Sequence, residues 1–109
     1  MPAPLVSDVL PDLIDEMAAL LREAGADPLV AQLSKLRIES VCDCGDENCS
    51  SFATLGEVKV ANHVELPAME GMLIVDLNAA DEICFIEVLN RPDVKYLMEE
   101  HYDAARQGG

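Results

Sequence analysis

The strongest constraint on the fold is a pair of apolar segments that flank a short polar turn. Residues 72–78 and 82–89 are rich in β-branched and other apolar side chains, around the sequence Asn78-Ala79-Ala80-Asp81. A two-residue Ala-Ala turn would need positive φ at both alanines, so we predict a four-residue loop instead. The sequence therefore predicts an antiparallel β-hairpin whose register places Asp76 opposite Ile83.

The predicted hairpin has one wholly apolar face and one mixed face. The apolar face carries Leu73, Val75, Leu77, Cys84, Ile86 and Val88. We expect helices to cover it, with Cys84 as a structural residue. The mixed face includes Asp76 and Glu87, which this register separates by about 13 Å along the strand. Because that exceeds the usual spacing of two catalytic carboxyl groups in glycosidases, we predict no acid–base pair.

The spacing of apolar residues, and the residues that interrupt it, predict the remaining helices and strands. An apolar stripe at i, i+3, i+4 and i+7 predicts a helix over residues 10–21, and Asp27-Pro28 begins a second helix over 28–35. Alternation predicts strands over 36–40 and 51–55, with 57–66 as weak strand or loop. Pro92 begins a last helix that reaches about residue 105. Together they predict one α+β domain over residues 1–109: an N-terminal αα-hairpin, an antiparallel sheet of four or five strands and a C-terminal helix.

Composition argues against several classes of partner. The chain has 109 residues, half of them hydrophobic, with 7 basic and 21 acidic side chains and a formal net charge of −14. Nucleic-acid binding requires clustered Lys and Arg, so we expect no nucleic-acid partner. No apolar run approaches the roughly 18 residues that a membrane helix needs, and no secretory signal pattern is present. We therefore expect no association with a membrane.

The most specific local motif is a cluster of three cysteines. Cys42, Cys44 and Cys49 have the spacing C-x-C-x4-C, and Gly45 permits a tight turn between them. Thiolates this close in sequence can converge on one tetrahedral cation, and His63 could supply a fourth ligand. The motif therefore predicts a zinc site on Cys42, Cys44, Cys49 and His63. Nearby carboxylates raise the cost of forming the thiolates until the cation arrives.

Two other interpretations of the cysteine cluster stay open. The first is a polar turn whose cysteines pack inward as small apolar side chains. The second is thiol redox or nucleophilic chemistry, which requires positive surroundings that lower the thiol pKa. No Lys or Arg lies between Arg37 and Lys59, so we predict that the thiols are inert unless they bind a cation. Clustered cysteines without a signal pattern favour a reducing, bacterial cytoplasm over a secreted disulfide framework.

The order of the motifs resembles a family of small, uncharacterised bacterial proteins. The resemblance is carried by Cys42-Asp43-Cys44-Gly45 with Cys49, Ser51-Phe52-Ala53-Thr54, Gly71-Met72-Leu73-Ile74-Val75-Asp76 and Ile86-Glu87-Val88-Leu89. The hairpin alone is similar to a widespread bacterial domain of unknown function whose strand ends in Ile-Glu-Val/Ile-Leu. The resemblance covers roughly the C-terminal two thirds of the chain. It implies no activity and assigns no catalytic residue.

The sequence favours a binding protein over an enzyme. It contains no Gly-rich phosphate loop, no G-x-S-x-G motif and no H-E-x-x-H motif, so we predict no catalytic activity. The negative charge and the apolar residues Ile74, Phe85 and Leu89 on the mixed face favour a protein–protein interaction module. Such a module would bind a basic partner, as immunity proteins and antitoxins do, or form a homodimer. The alternative is a structural zinc-binding module built on the loop of residues 42–49.

Overall fold

The structure, a computed structural model, describes residues 3–42 and 44–102. The helices are α1 (Val6–Val9), α2 (Pro11–Glu23), α3 (Asp27–Leu33) and α4 (Pro92–Leu97), which continues as a π-helical segment, Met98–Tyr102. The strands are β1 (Ser40–Val41), β2 (Phe52–Ala53), β3 (Asn62–Leu66), β4 (Met72–Leu77) and β5 (Ile83–Leu89). They form an antiparallel sheet in the order β1-β2-β5-β4-β3. The predicted α+β class, with a five-stranded antiparallel sheet and a C-terminal helix, is confirmed.

Helix α2 carries the apolar stripe that the sequence predicted. Its buried side chains Leu13, Met17 and Leu21 recur at helical spacing and belong to the same core cluster as the apolar residues of the sheet. The helix ends before Gly25, which adopts φ +75°, a conformation that glycine accepts without strain. Of the described helices, none has the length and apolar character to cross a bilayer.

The last helix begins at Pro92, as predicted, but its hydrogen-bonding pattern changes after Leu97. The buried side chains of this helix are Val94 in α4 and Met98 and Tyr102 in the π-helical segment. The face that packs against the core therefore continues across the change. The predicted final residues of this helix, 103–105, lie outside the described residues.

The predicted hairpin is formed by β4 and β5, but its register differs by two residues from the prediction. Asp76 lies opposite Phe85, not opposite Ile83. The turn accounts for one residue of the difference. The predicted register opposes Asn78 to Asp81, but Asn78 N–H donates to the carbonyl of the next residue, Glu82, at 3.0 Å. The Asn78 side-chain oxygen also accepts the N–H groups of residues 80 and 82, each at 3.0 Å, which stabilises this longer turn.

A β-bulge at Cys84 accounts for the second residue. Leu77 pairs with Ile83 whereas Asp76 pairs with Phe85, so Cys84 is the extra residue on β5. A shift of two residues preserves alternation, so the predicted apolar face is buried: Leu73, Val75, Ile86 and Val88 are each at most 1% exposed. Ile83 was predicted on the mixed face, but it is also buried in the core because the bulge interrupts the alternation.

The first and third strands differ from the sequence prediction. Residues 36–39 lie outside β1; here Ile38 N–H donates to the Pro4 carbonyl at 2.8 Å and Val6 N–H to the Leu36 carbonyl at 2.9 Å. Residues 62–66, predicted as weak strand or loop, form the regular edge strand β3 paired with β4. Most side chains of β3 are exposed, so apolar and polar residues do not alternate clearly along it. The strand is therefore recognised by its pairing with β4 and not by its sequence pattern.

Ion pairs of the buried Arg91 stabilise the junction between β5 and α4. The Arg91 guanidinium donates to both carboxylate oxygens of Glu16 on α2 at 2.8 Å and also to Asp93. Hydrogen bonds to these two carboxylates hold the pKa of Arg91 above its ordinary value. Gly71 lies against the same junction with φ +64°, and a Cβ atom there would be 2.8 Å from the Asn90 carbonyl oxygen.

We expect Gly71→Ala to lower the free energy of unfolding by roughly 3 kcal/mol or more, since it combines backbone strain with overlap against neighbouring carbonyl oxygens. Gly25→Ala is the matched control, because Gly25 also has positive φ but no atom lies within 4 Å of the added Cβ. Its cost should be about 1–2 kcal/mol. Urea unfolding of both variants measures the difference; equal losses would contradict the assigned role of Gly71.

Candidate metal centre

The cysteine loop is closed by its own backbone hydrogen bonds. At its base, Cys42 N–H donates to the Ser51 carbonyl at 2.9 Å, which continues the pairing of β1 with β2. Within it, Cys49 N–H donates to the Asp46 carbonyl at 3.1 Å, and Asn48 N–H donates to the Asp46 carboxylate at 2.8 Å. Gly45 has φ +80°, a left-handed conformation that glycine accepts, and the hydrogen-bonded turn follows it over residues 46–49.

The loop is also anchored to the end of β5. Cys49 forms an antiparallel bridge with Leu89, and Asn90 N–H donates to the Asn48 carbonyl at 2.8 Å. From α4, the Lys95 ammonium donates to the Glu47 carbonyl. These contacts position the cysteine-bearing turn against secondary structure on one side, while residues 44–48 stay exposed to solvent.

The structure brings Cys42, Cys44 and Cys49 together. Their Sγ atoms all lie within 4.8 Å of one another, and all three thiols are free. In a tetrahedral zinc–thiolate site with Zn–S bonds of about 2.3 Å, neighbouring sulfurs are about 3.8 Å apart. A closure of about 1 Å or less per pair would therefore suffice, and the three cysteines can hold a metal ion.

The pKa values of Cys42 and Cys49 are shifted in opposite directions because the environments of the two thiols differ. Burial, followed by hydrogen bonds with the Cys44 and Cys49 thiols, raises the pKa of Cys42 to about 11. Burial also acts to raise the pKa of Cys49. Hydrogen bonds from the Ser51 side chain and backbone and from the other two thiols outweigh that effect, so the pKa of Cys49 lies below its ordinary value.

The nearby carboxylates, which were expected to raise the cost of forming the thiolates, do not raise the pKa of Cys49. Burial acts to raise this pKa and hydrogen bonds lower it further than burial raises it, and no carboxylate is among these causes. Asp46 directs a carboxylate oxygen to the Asn48 N–H, while Glu47 is exposed to solvent. Asp43, the other acid of the motif, lies outside the described residues.

Ser51 is a site residue that the sequence analysis missed. Its Oγ accepts the Cys49 thiol at 3.4 Å and the Val88 N–H at 2.8 Å, and its hydroxyl donates to the Val88 carbonyl at 3.3 Å. The hydroxyl thus takes the place of a backbone acceptor in the pairing with β5. The adjacent Ser50 hydroxyl is buried without a partner in the described part of the chain.

The structure does not bring His63 to the three thiols. His63 lies on β3, opposite Asp76, whereas Cys42 follows β1 at the other edge of the sheet. Four strand spacings of about 4.8 Å put these edges roughly 19 Å apart. Cys84 is separate as well, because it is buried in the bulge with its Sγ 3.5 Å from the Asp76 carbonyl oxygen. No other His, Cys, Asp or Glu in residues 3–42 and 44–102 joins the thiol cluster.

The corrected register brings together two carboxyl groups that the sequence analysis separated. Because Asp76 lies opposite Phe85, Glu87 is its diagonal neighbour on β5, and His63 flanks it from β3. Asp76 is only 5% exposed. Burial, then a hydrogen bond and repulsion from Glu87, raise the pKa of Asp76 to about 7, partly opposed by His63. The predicted separation of about 13 Å along the strand between these two carboxyl groups is therefore wrong.

Comparisons with protein-family models, curated proteins and solved structures found no match to this chain. The resemblance to uncharacterised bacterial proteins stays a prediction.

We expect Asp76→Asn to stabilise the protein at pH 8 and to have little effect at pH 4. The folded-state pKa of about 7 exceeds the ordinary value of 3.8, so the stabilisation linked to protonated Asp76 is complete below pH 4 and lost as the pH rises through 7. The two proteins should differ at pH 8 by on the order of 1–4 kcal/mol in the free energy of unfolding.

Urea unfolding of both proteins between pH 4 and 8 measures this difference. Glu65→Gln, at an exposed position of β3, is the control and should leave the pH profile of the wild-type protein unchanged. Parallel profiles for wild type and Asp76→Asn would contradict the raised pKa.

Proposed function

We propose that this chain is a non-enzymatic metal-binding protein in which Cys42, Cys44 and Cys49 hold a thiophilic cation such as Zn²⁺. The observation that carries this function is the convergence of three free thiols within 4.8 Å. Thiolates are preferred ligands of Zn²⁺ and of other soft ions, and sulfur sites of this kind also occur for Cu(I).

Electrostatics support a cation at this position. The chain has a formal net charge of −14, and the loop itself carries Asp43, Asp46 and Glu47. Three thiolates would add negative charge to an already anionic segment, and a divalent cation offsets that cost. Hydrogen bonds with the side chain and backbone of Ser51 lower the pKa of Cys49, which favours the deprotonated sulfur that metal binding requires.

The proposed site differs from the predicted Cys3His set, because His63 lies at the opposite edge of the sheet. Three protein ligands leave a coordination position for water or for an added ligand. We place the protein in a reducing cytoplasm, where free thiols persist.

A second candidate function is binding of a basic protein partner, or of a second copy, through the mixed sheet face. Met72, Ile74, Phe85 and Leu89 lie on this face, and Met72 is 47% exposed. Glu65 and Glu87 flank the apolar residues, so the face combines apolar area with negative charge. Because Cys49 pairs directly with Leu89, the metal centre borders this surface.

Elemental analysis of protein purified without added metal tests the metal site. We expect about one zinc per chain, with a large loss on replacing Cys42, Cys44 or Cys49 by Ser, because each supplies one ligand. Cys84→Ser and His63→Ala are the controls and should keep their zinc, since neither residue lies in the thiol cluster. Zinc far below one per chain in the wild-type protein, even after incubation with Zn²⁺, would contradict the proposed function.

A further inference from the structure

The three thiols that can hold a cation are also close enough to react with one another. All three are free and lie within 4.8 Å, and Cys44 is exposed while Cys42 and Cys49 are partly exposed. Bond formation between two of these sulfurs would require only a local closure of the loop. The fourth cysteine, Cys84, is fully buried in the β5 bulge and cannot take part without unfolding.

Chain geometry selects which pairs can form. A single residue separates Cys42 from Cys44, and a disulfide at that spacing is strained. Cys49 lies across the loop from both, after the turn closed by its N–H bond to the Asp46 carbonyl. Any unstrained disulfide of the cluster therefore contains Cys49, and forming it removes two of the three metal ligands together.

The charge of the chain restricts the oxidant. A net charge of −14 disfavours the approach of anionic oxidants such as glutathione disulfide. Hydrogen peroxide is small and uncharged, so this field does not exclude it, and the exposure of Cys44 provides access to the cluster. Peroxide is therefore the class of oxidant that the surface admits best.

We propose that the cluster is a redox-gated metal site, in which peroxide joins Cys49 to Cys42 or Cys44 and releases the cation. One thiolate attacks a peroxide oxygen, and the O–O bond breaks to give a sulfenic acid and hydroxide. The second thiolate attacks that sulfur, the S–S bond forms and the sulfenic oxygen leaves as hydroxide. The two sulfurs lose two electrons, and two protons from solvent convert the hydroxides into two waters. The cation, left with one protein thiolate, dissociates.

The release step presupposes the proposed metal site, so the experiment uses both zinc-loaded and metal-free full-length protein. Each is treated with hydrogen peroxide, and free thiols, released zinc and disulfide-linked peptides are measured. We expect the number of cysteines outside a disulfide to fall from four to two per chain. About one zinc per disulfide should be released, in a change that a dithiol reductant reverses.

Single Cys→Ser variants identify the shared sulfur. Cys49→Ser should form no disulfide within the chain, whereas Cys42→Ser and Cys44→Ser should each still form one that contains Cys49. Cys84→Ser is the control and should behave like the wild-type protein.

A Cys42–Cys44 disulfide, a disulfide only between chains, or zinc that stays bound after oxidation would overturn the redox-gated site. Protein that binds no zinc but still forms the Cys49 disulfide would refute the proposed function and the release step while leaving the pairing geometry intact. The two failures are therefore distinguishable.

Discussion

Strand β5 is hydrogen-bonded on both sides, to β4 on one and to the segment after the cysteine loop on the other, and this double pairing positions the chemically active side chains. The bridge between Cys49 and Leu89 holds the loop against the sheet. The Ser51 hydroxyl accepts the Val88 N–H, which places it beside the Cys49 sulfur. A shift of β5 by one residue would expose its apolar side chains and also displace the loop, so core packing and site geometry are determined together.

Two groups of titratable side chains lie on this framework, and burial affects each of them. In the thiol cluster, desolvation raises the pKa of Cys42, while hydrogen bonds to Ser51 and the neighbouring thiols reverse the effect at Cys49. At the centre of the sheet, desolvation and Glu87 raise the pKa of Asp76. The same anionic composition has different consequences: a cation would relieve the cost at the exposed loop, whereas a proton relieves it at the buried Asp76 beside Glu87.

The sequence predicted the elements of the fold better than the distances between them. Alternation identified the buried apolar residues of β4 and β5 other than Ile83, because a two-residue error of register leaves each side chain on its face. It could not predict the Asn78 turn or the Cys84 bulge, and these two features bring Asp76 next to Glu87. The spacing of the three cysteines was enough to predict that they lie together, because a segment of only eight residues closed by a turn keeps them close. His63 follows the loop in sequence, but only the strand order places it at the opposite edge of the sheet.

The central claim is that three thiolates of one loop bind a single cation, and X-ray absorption at the zinc edge tests it most directly. For the zinc-loaded full-length chain we expect a first shell with three sulfur atoms at about 2.3 Å and at most one or two lighter atoms. The sulfur shell should be absent from any zinc retained by a variant with Cys42, Cys44 and Cys49 replaced by Ser. Zinc coordinated only by nitrogen and oxygen atoms in the wild-type protein would contradict the claim.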